Sequence, residues 1–171
     1  QYYLGTMYAK GLGTSKNEEE AVQWYRKASE KGYAYAQYKL GVMYEMGRGV
    51  TQSDQEAFKW YKQATEQENI KAQNSLGKMY EKGAGVNKDE QEAVKWYRKA
   101  AEKGYAKAQY NLGRMYSEGK GVTQNEKEAM QWRLKAADQG RVEAQREIGY
   151  AYEIGKNIDP DLIKAFRWYL K

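Results

Sequence analysis

The chain has 171 residues with no Cys and no His, which excludes disulfides, thiolate or imidazole nucleophiles, imidazole acid–base catalysis and zinc sites built on Cys or His. Its 29 Lys and Arg against 23 Asp and Glu give a formal net charge of +6, and no apolar run approaches the roughly 20 residues of a membrane span. Mean hydropathy is strongly negative, yet 5 Trp and 17 Tyr recur in phase and can be buried, which argues against disorder.

The first predicted element is a helix carrying Leu4-Gly5 and broken at Gly11 and Gly13. Asn17-x-x-Glu20 then reads as a capping box, whose side chains satisfy orphan amides at a helix N-terminus. It opens a second helix marked by Ala21 and Trp24 and closed at Gly32. From Ala34 to about Met46, Ala36, Leu40, Met43 and Tyr44 fall at i, i+4, i+7 and i+8, one face of a helix. Gly47-Arg48-Gly49 ends it, because glycine accepts the positive φ of a helix C-terminus. Ser53-x-x-Glu56 opens the next helix, with Ala57, Trp60, Tyr61 and Ala64 on a second apolar stripe. Glu68 stands where Gly32, Gly104 and Gly140 close the other second helices, which predicts a turn of different build. Gly83/Gly85, Asp89-x-x-Glu92, Gly119/Gly121 and Asn125-x-x-Glu128 repeat the signals. In the last hairpin Gly155 is kept, Asn157 takes the second glycine's place, and Asp161 or Asp159 beside Pro160 supplies the cap.

Leu4-Gly5, Leu40-Gly41, Leu76-Gly77, Leu112-Gly113 and Ile148-Gly149 return every 36 residues, as do Ala21/Trp24, Ala57/Trp60, Ala93/Trp96, Ala129/Trp132 and Ala165/Trp168. Two landmarks sharing one period define a repeat array over 1–171, with units at about 1–33, 34–69, 70–105, 106–141 and 142–171, the first and last incomplete. Each Leu-Gly glycine sits inside a helix at a cost of about 1 kcal/mol against Ala. That predicts a partner helix crossing too closely for a Cβ, with Trp and Met packed on neighbouring units. Gln1 is in phase with Gln37, and Lys171 with Lys27, so both ends fall inside a repeat without a polar cap. The expectation is a fragment of a longer array.

A small-x-Ala-Gln-x-x-Leu-Gly-x-Met-Tyr-x-x-Gly-x-Gly-Val unit followed by Glu-Ala-x-x-Trp-Tyr-x-x-Ala-Ala resembles the Sel1-like repeat, a relative of the tetratricopeptide repeat. In the third unit the match rests on Ala72-Gln73, Leu76-Gly77, Met79-Tyr80, Gly83, Gly85-Val86, Ala93, Trp96-Tyr97 and Ala100-Ala101. The resemblance implies an all-α, right-handed superhelical α-solenoid of antiparallel helix pairs, serving as an adaptor or scaffold for other proteins. It also implies a bacterial protein, with a lean toward an exported one. A cysteine-rich branch linked to β-lactam binding is not carried over, because this chain has no Cys. Arg133 departs from the pattern, standing where Tyr25, Tyr61, Tyr97 and Tyr169 stand, which predicts looser packing or a side chain offered to a partner.

On each first helix, the face opposite the packing stripe lines the concave groove of tetratricopeptide-like folds, and there the repeats stop agreeing. Candidate partner-binding residues are Tyr2, Tyr35, Tyr38, Lys39 and Val42 toward the N-terminus, then Lys71, Asn74, Lys78, Lys107, Tyr110, Asn111 and Arg114, then Arg146 and Tyr150. Tyr and Arg are enriched at binding hot spots, and this aromatic and basic set suits a protein or peptide with apolar and acidic residues. The other reading is a solvated face free to drift.

Basic residues are spread through all units and interleaved with Glu, and no nucleic-acid motif occurs, so the charge is set aside as a nucleic-acid signal. Gly-x-Gly follows a helix rather than a strand and reads as a turn; Gly113 to Lys120 is one residue too long for a phosphate loop. Ser117-x-x-Lys120 matches the nucleophile motif of penicillin-recognising enzymes without its companions and reads as chance. No cofactor or metal is expected. The function expected is a non-catalytic interaction scaffold. The alternatives are an inhibitor or immunity-type protein that blocks one exported enzyme, and more remotely a β-lactam-binding enzyme.

Overall fold

A computed structural model describes every residue from Gln1 to Lys171. The chain is all-α: α1 (Tyr2–Lys10), α2 (Glu18–Glu30), α3 (Ala34–Met46), α4 (Asp54–Glu66), α5 (Ile70–Lys82), α6 (Glu90–Glu102), α7 (Ala106–Glu118), α8 (Glu126–Asp138), α9 (Val142–Ile154) and α10 (Leu162–Tyr169). They form two compact units, Gln1–Lys88 and Asp89–Lys171, and within each unit every helix packs on the next in sequence.

The predicted caps are present. Asn17, Ser53, Asp89 and Asn125 accept hydrogen bonds from the amides of Glu20, Glu56, Glu92 and Glu128 at 2.9 to 3.2 Å. In the last hairpin the cap is Asp161, which accepts from Lys164 N at 2.9 Å. One turn differs from expectation. Glu68 takes φ 58, the same left-handed conformation as Gly32 at φ 83, and its amide reaches Thr65 O as the Gly32 amide reaches Ser29 O. A Cβ on Gly32 would meet nothing within 4 Å, so the position costs a side chain only its backbone preference.

In the unit Gln1–Lys88, Ala21, Val22, Tyr25, Leu40 and Met43 form a core cluster on which Trp60 of the following hairpin packs. The Leu-Gly glycine meets the tyrosine of the Trp-Tyr pair. A Cβ on Gly41 would lie 2.7 Å from two ring carbons of Tyr61, which is fully buried. Burying a tyrosine removes about 150–250 Å² from water, an upper value of about 4–6 kcal/mol at 25 cal/mol/Å². The roughly 1 kcal/mol lost to a helical glycine is small against that. The second turn glycine makes a different approach, between hairpins. A Cβ on Gly49 would lie 2.2 Å from Glu18 O, and one on Gly85 would lie 2.3 Å from Asp54 O.

In the unit Asp89–Lys171, Ala136, Ala137, Ala144 and Ile148 form the core cluster, covered by Met130, Leu134, Tyr152 and Trp168. Gly121 repeats the approach of its siblings, 2.1 Å from Glu90 O for a virtual Cβ. The tryptophans are only half-buried, and in the Trp96/Tyr97 pair tyrosine is the deeper member, at 1% exposed, whereas in the last pair Tyr169 is exposed. The outer faces of Trp96, Trp132 and Trp168 carry the ammonium groups of Lys99, Lys135 and Lys171, one helical turn on, at 3.7 to 4.3 Å from the ring centroids.

Candidate interaction surface

In the first unit, Tyr2 is half-buried at the centre of an aromatic cluster. Its ring centroid lies 5.4 Å from Tyr3, 5.1 Å from Tyr33, 6.3 Å from Tyr35 and 5.9 Å from buried Tyr25. Tyr3 is 75% exposed, Tyr35 57% and Tyr33 41%, so the cluster offers three rings to solvent over half-buried Tyr2 and buried Tyr25. Tyr33 lay outside the sequence-derived set. It sits in the turn before α3, in register with Tyr105, and that register was the available signal. Beside the cluster, Lys39 is half-buried, and burial first, then Lys71 and Lys10, holds its ammonium below the ordinary lysine range. Lys71, on the next first helix, is exposed.

Other candidates in this unit are drawn inward. Tyr38 stacks on Tyr61 at 5.8 Å, Val42 is half-buried, and Asn74 is 4% exposed. Lys78 Nζ lies 2.6 Å from Glu45 Oε1, while the other oxygen of that carboxylate accepts from the Tyr61 hydroxyl at 2.6 Å. Lys78 and Glu45 belong to successive first helices, so the pair fastens one repeat to the next.

In the second unit, Lys107, Arg146 and Tyr150 are exposed and Asn111 is half-buried. The Tyr110 hydroxyl donates to Glu147 at 2.7 Å, and burial first, then that carboxylate, pushes the phenol up to about 12. Arg114 faces Glu118 at 3.4 Å. Arg133 is turned inward: its side chain is 17% exposed and its Nε lies 2.9 Å from Glu147 Oε2. That contact is an ion pair without an aligned N–H donation. Ser117 donates to Glu126 at 2.8 Å, and Lys120 reaches Glu118 at 2.6 Å. A cavity of about 260 Å³ opens beside Arg133. No group of three or more Asp or Glu is placed to hold a metal ion, and no helix is long and apolar enough to cross a membrane.

The Sel1 repeat family model matches residues 1–33, 34–69, 70–105, 106–140 and 142–171. A solved Sel1 repeat protein from Oxalobacter formigenes is 39% identical, with a TM-score of 0.94 over 99% of this chain and 69% of that one. The c5321 protein, a protective antigen present in uropathogenic Escherichia coli strains and displaying the same repeat fold, is 37% identical with a TM-score of 0.87. That match covers 99% of this chain and 36% of the antigen, so the chain spans about a third of its length. The immunity protein PA5088 from Pseudomonas aeruginosa, 22% identical with a TM-score of 0.65 over 98% of this chain and 63% of that one, shares the fold. No curated protein matches the chain.

Proposed function

The chain belongs to the Sel1 repeat family, whose members generally serve as protein–protein interaction scaffolds, and on that premise we propose that it binds a protein partner on its variable first-helix faces without catalysing a reaction. The observation that carries the proposal is the tyrosine cluster around Tyr2, with half-buried Lys39 one helical turn on from Tyr35. Exposed aromatic rings on a buried base lose little side-chain entropy on binding, and the Lys39 ammonium favours an acidic group near them. The partner this suits is a protein or peptide segment bearing apolar and acidic residues. In the second unit Lys107, Arg146 and Tyr150 offer the same residue types. Lys78, Tyr110 and Asn74 are assigned to holding repeats together rather than to the partner.

The test is capture of the partner from its native cells by the wild-type chain and by a Tyr3→Ala/Tyr35→Ala/Lys71→Ala variant, whose substitutions remove only exposed side chains. A control carries alanine at exposed second-helix positions Gln23, Lys62 and Lys95. Loss of capture by the first variant alone is expected; equal capture by both would move the contact to another face. An immunity-type inhibitor, the reading next in line, is distinguished by a single partner held at fixed stoichiometry.

A further inference from the structure

The fourth repeat departs from the pattern at two positions, and a third departure, in the turn of the fifth repeat, lines the same space. Where the pattern holds, the tyrosine of the second helix donates to a glutamate on the first: Tyr61 to Glu45 at 2.6 Å and Tyr169 to Glu153 at 2.7 Å. In the fourth repeat both partners change together, to Arg133 and Ser117. The third change is Asn157 of the fifth repeat, at the turn position held elsewhere by Gly49, Gly85 and Gly121. Those glycines seat against the preceding hairpin so tightly that a Cβ would lie 2.1 to 2.3 Å from a carbonyl oxygen. Asparagine brings a Cβ and cannot seat in that way. At this junction a cavity of about 260 Å³ stands open, lined by Arg114, Ser117, Met130, Arg133, Tyr150 and Asn157 among others.

The chemistry of the cavity is one-sided in what it leaves unmet. Glu147 accepts from Tyr110, Glu126 accepts from Ser117, and Glu118 is held by Arg114 and Lys120. The carboxylates are thus supplied with donors. The guanidinium of Arg133 is ion-paired but short of hydrogen bonds: its Nε faces Glu147 at 2.9 Å out of line, and its nearest terminal nitrogen is 3.9 Å from Glu126, beyond hydrogen-bond range. Lys156 stands at the lining with no ion pair. Met130 and buried Ile148 and Ala151 give the rest of the lining an apolar character. The volume is below that of a typical small-molecule site, about 300–1,000 Å³, and suits one amino-acid side chain.

We propose that this cavity receives a single carboxylate from an acidic residue or chain terminus of a protein partner, taken in a forked pair by the two terminal nitrogens of Arg133 with Lys156 at the rim. A monoanion is preferred over a phosphate because three glutamates border the same space. The assignment rests on the interaction-scaffold reading and gives it a specific anchor.

The test is an NMR titration of the intact chain that follows the Arg133 Nε–Hε resonance. The probes are acetyl-Leu-Glu amide, acetyl-Leu-Gln amide, acetyl-Leu-Ala with a free C-terminus, and inorganic phosphate. A saturable shift with the glutamate peptide, at least tenfold weaker with glutamine, is expected. Saturation by the free C-terminal peptide instead identifies a chain terminus as the source of the carboxylate. Arg133→Tyr/Ser117→Glu restores the sibling pair, and Arg133→Gln keeps the bulk without charge; binding to both, read from neighbouring amide resonances, should fall at least tenfold. Equal shifts for the Glu and Gln peptides, undiminished binding to a folded variant, or phosphate binding as tightly as the carboxylate would overturn the assignment. The titration reads this cavity alone, so its failure leaves the capture experiment on the tyrosine cluster standing.

Discussion

Gly41→Ala tests whether the Leu-Gly beat is a steric requirement. In an open helix the change would stabilise by about 1 kcal/mol. Here the new methyl would lie 2.7 Å from Cδ1 and Cε1 of Tyr61 and 3.3 Å from Ala57 O. The ring cannot retreat, because Tyr61 is 0% exposed and its hydroxyl is fixed to Glu45. Overpacking a closed core costs about 1–3 kcal/mol, occasionally more, and an immobile ring places this site at the upper end. The expected net effect is destabilisation by about 1–2 kcal/mol. Gly113→Ala supplies the comparison within the same chain. Its methyl would meet Ala129 O at 3.0 Å and Arg133 Cγ at 3.1 Å; the arginine stem can shift although the backbone oxygen cannot, so the change should cost less than Gly41→Ala. Urea unfolding followed at 222 nm measures both, with amide hydrogen exchange in α3 and α4 locating the loss for Gly41→Ala. Because repeat arrays need not unfold in one step, the comparison is made between variants at a fixed probe. A Gly41→Ala protein that gains about 1 kcal/mol, as propensity alone dictates, would refute the steric account.

Three further outcomes are expected. Glu68→Gly should raise the urea midpoint by the equivalent of about 0.5–1 kcal/mol, since a left-handed φ costs an L-residue about 1–2 kcal/mol and glycine's extra chain entropy returns part of it; a lowered midpoint would show that the Glu68 side chain outweighs its backbone. Gly85→Ala should cost about 3 kcal/mol or more, because the methyl would sit 2.3 Å from a backbone oxygen at φ +68, and exchange protection in α4 and α5 should fall together. The phenols of Tyr25, Tyr61 and Tyr110 are all raised, chiefly by burial, so folding favours their protonated form. That stability is complete below the ordinary tyrosine value of 10.0 and is lost as pH rises toward about 12 for Tyr110. Tyrosinate absorbance at 295 nm should therefore rise in two phases, the later one in step with loss of helicity at 222 nm; a single rise near pH 10 with helices intact would contradict it.

What the sequence disclosed was local or periodic. Asn17, Ser53, Asp89 and Asn125 announce their caps within four residues, and Gly41 repeats often enough to demand a steric cause. The candidate face was legible only in part, because its neighbours lie about one whole repeat away. Lys78 looks exposed on a single helical wheel, yet its partner Glu45 is 33 residues earlier, and Tyr110 meets Glu147 at a separation of 37. Tyr33 falls outside the helical pattern because it precedes α3, although its ring lies 5.8 Å from Tyr35. Glu68 misled for the opposite reason: the preference for glycine is real, but the turn has room for a side chain.

The seating of Gly49 on Glu18 and of Gly85 on Asp54 has a consequence for how such a gene can change length. Each contact joins equivalent positions of successive repeats, so a duplication or deletion of 36 residues returns every glycine to a carbonyl of the same kind. A gain of 35 or 37 would set a Cβ-bearing residue against that carbonyl and rotate the following helices out of phase. Copy number is thus quantised by a contact with no side chain on the glycine's part, and drift within a copy stays free wherever that contact is untouched.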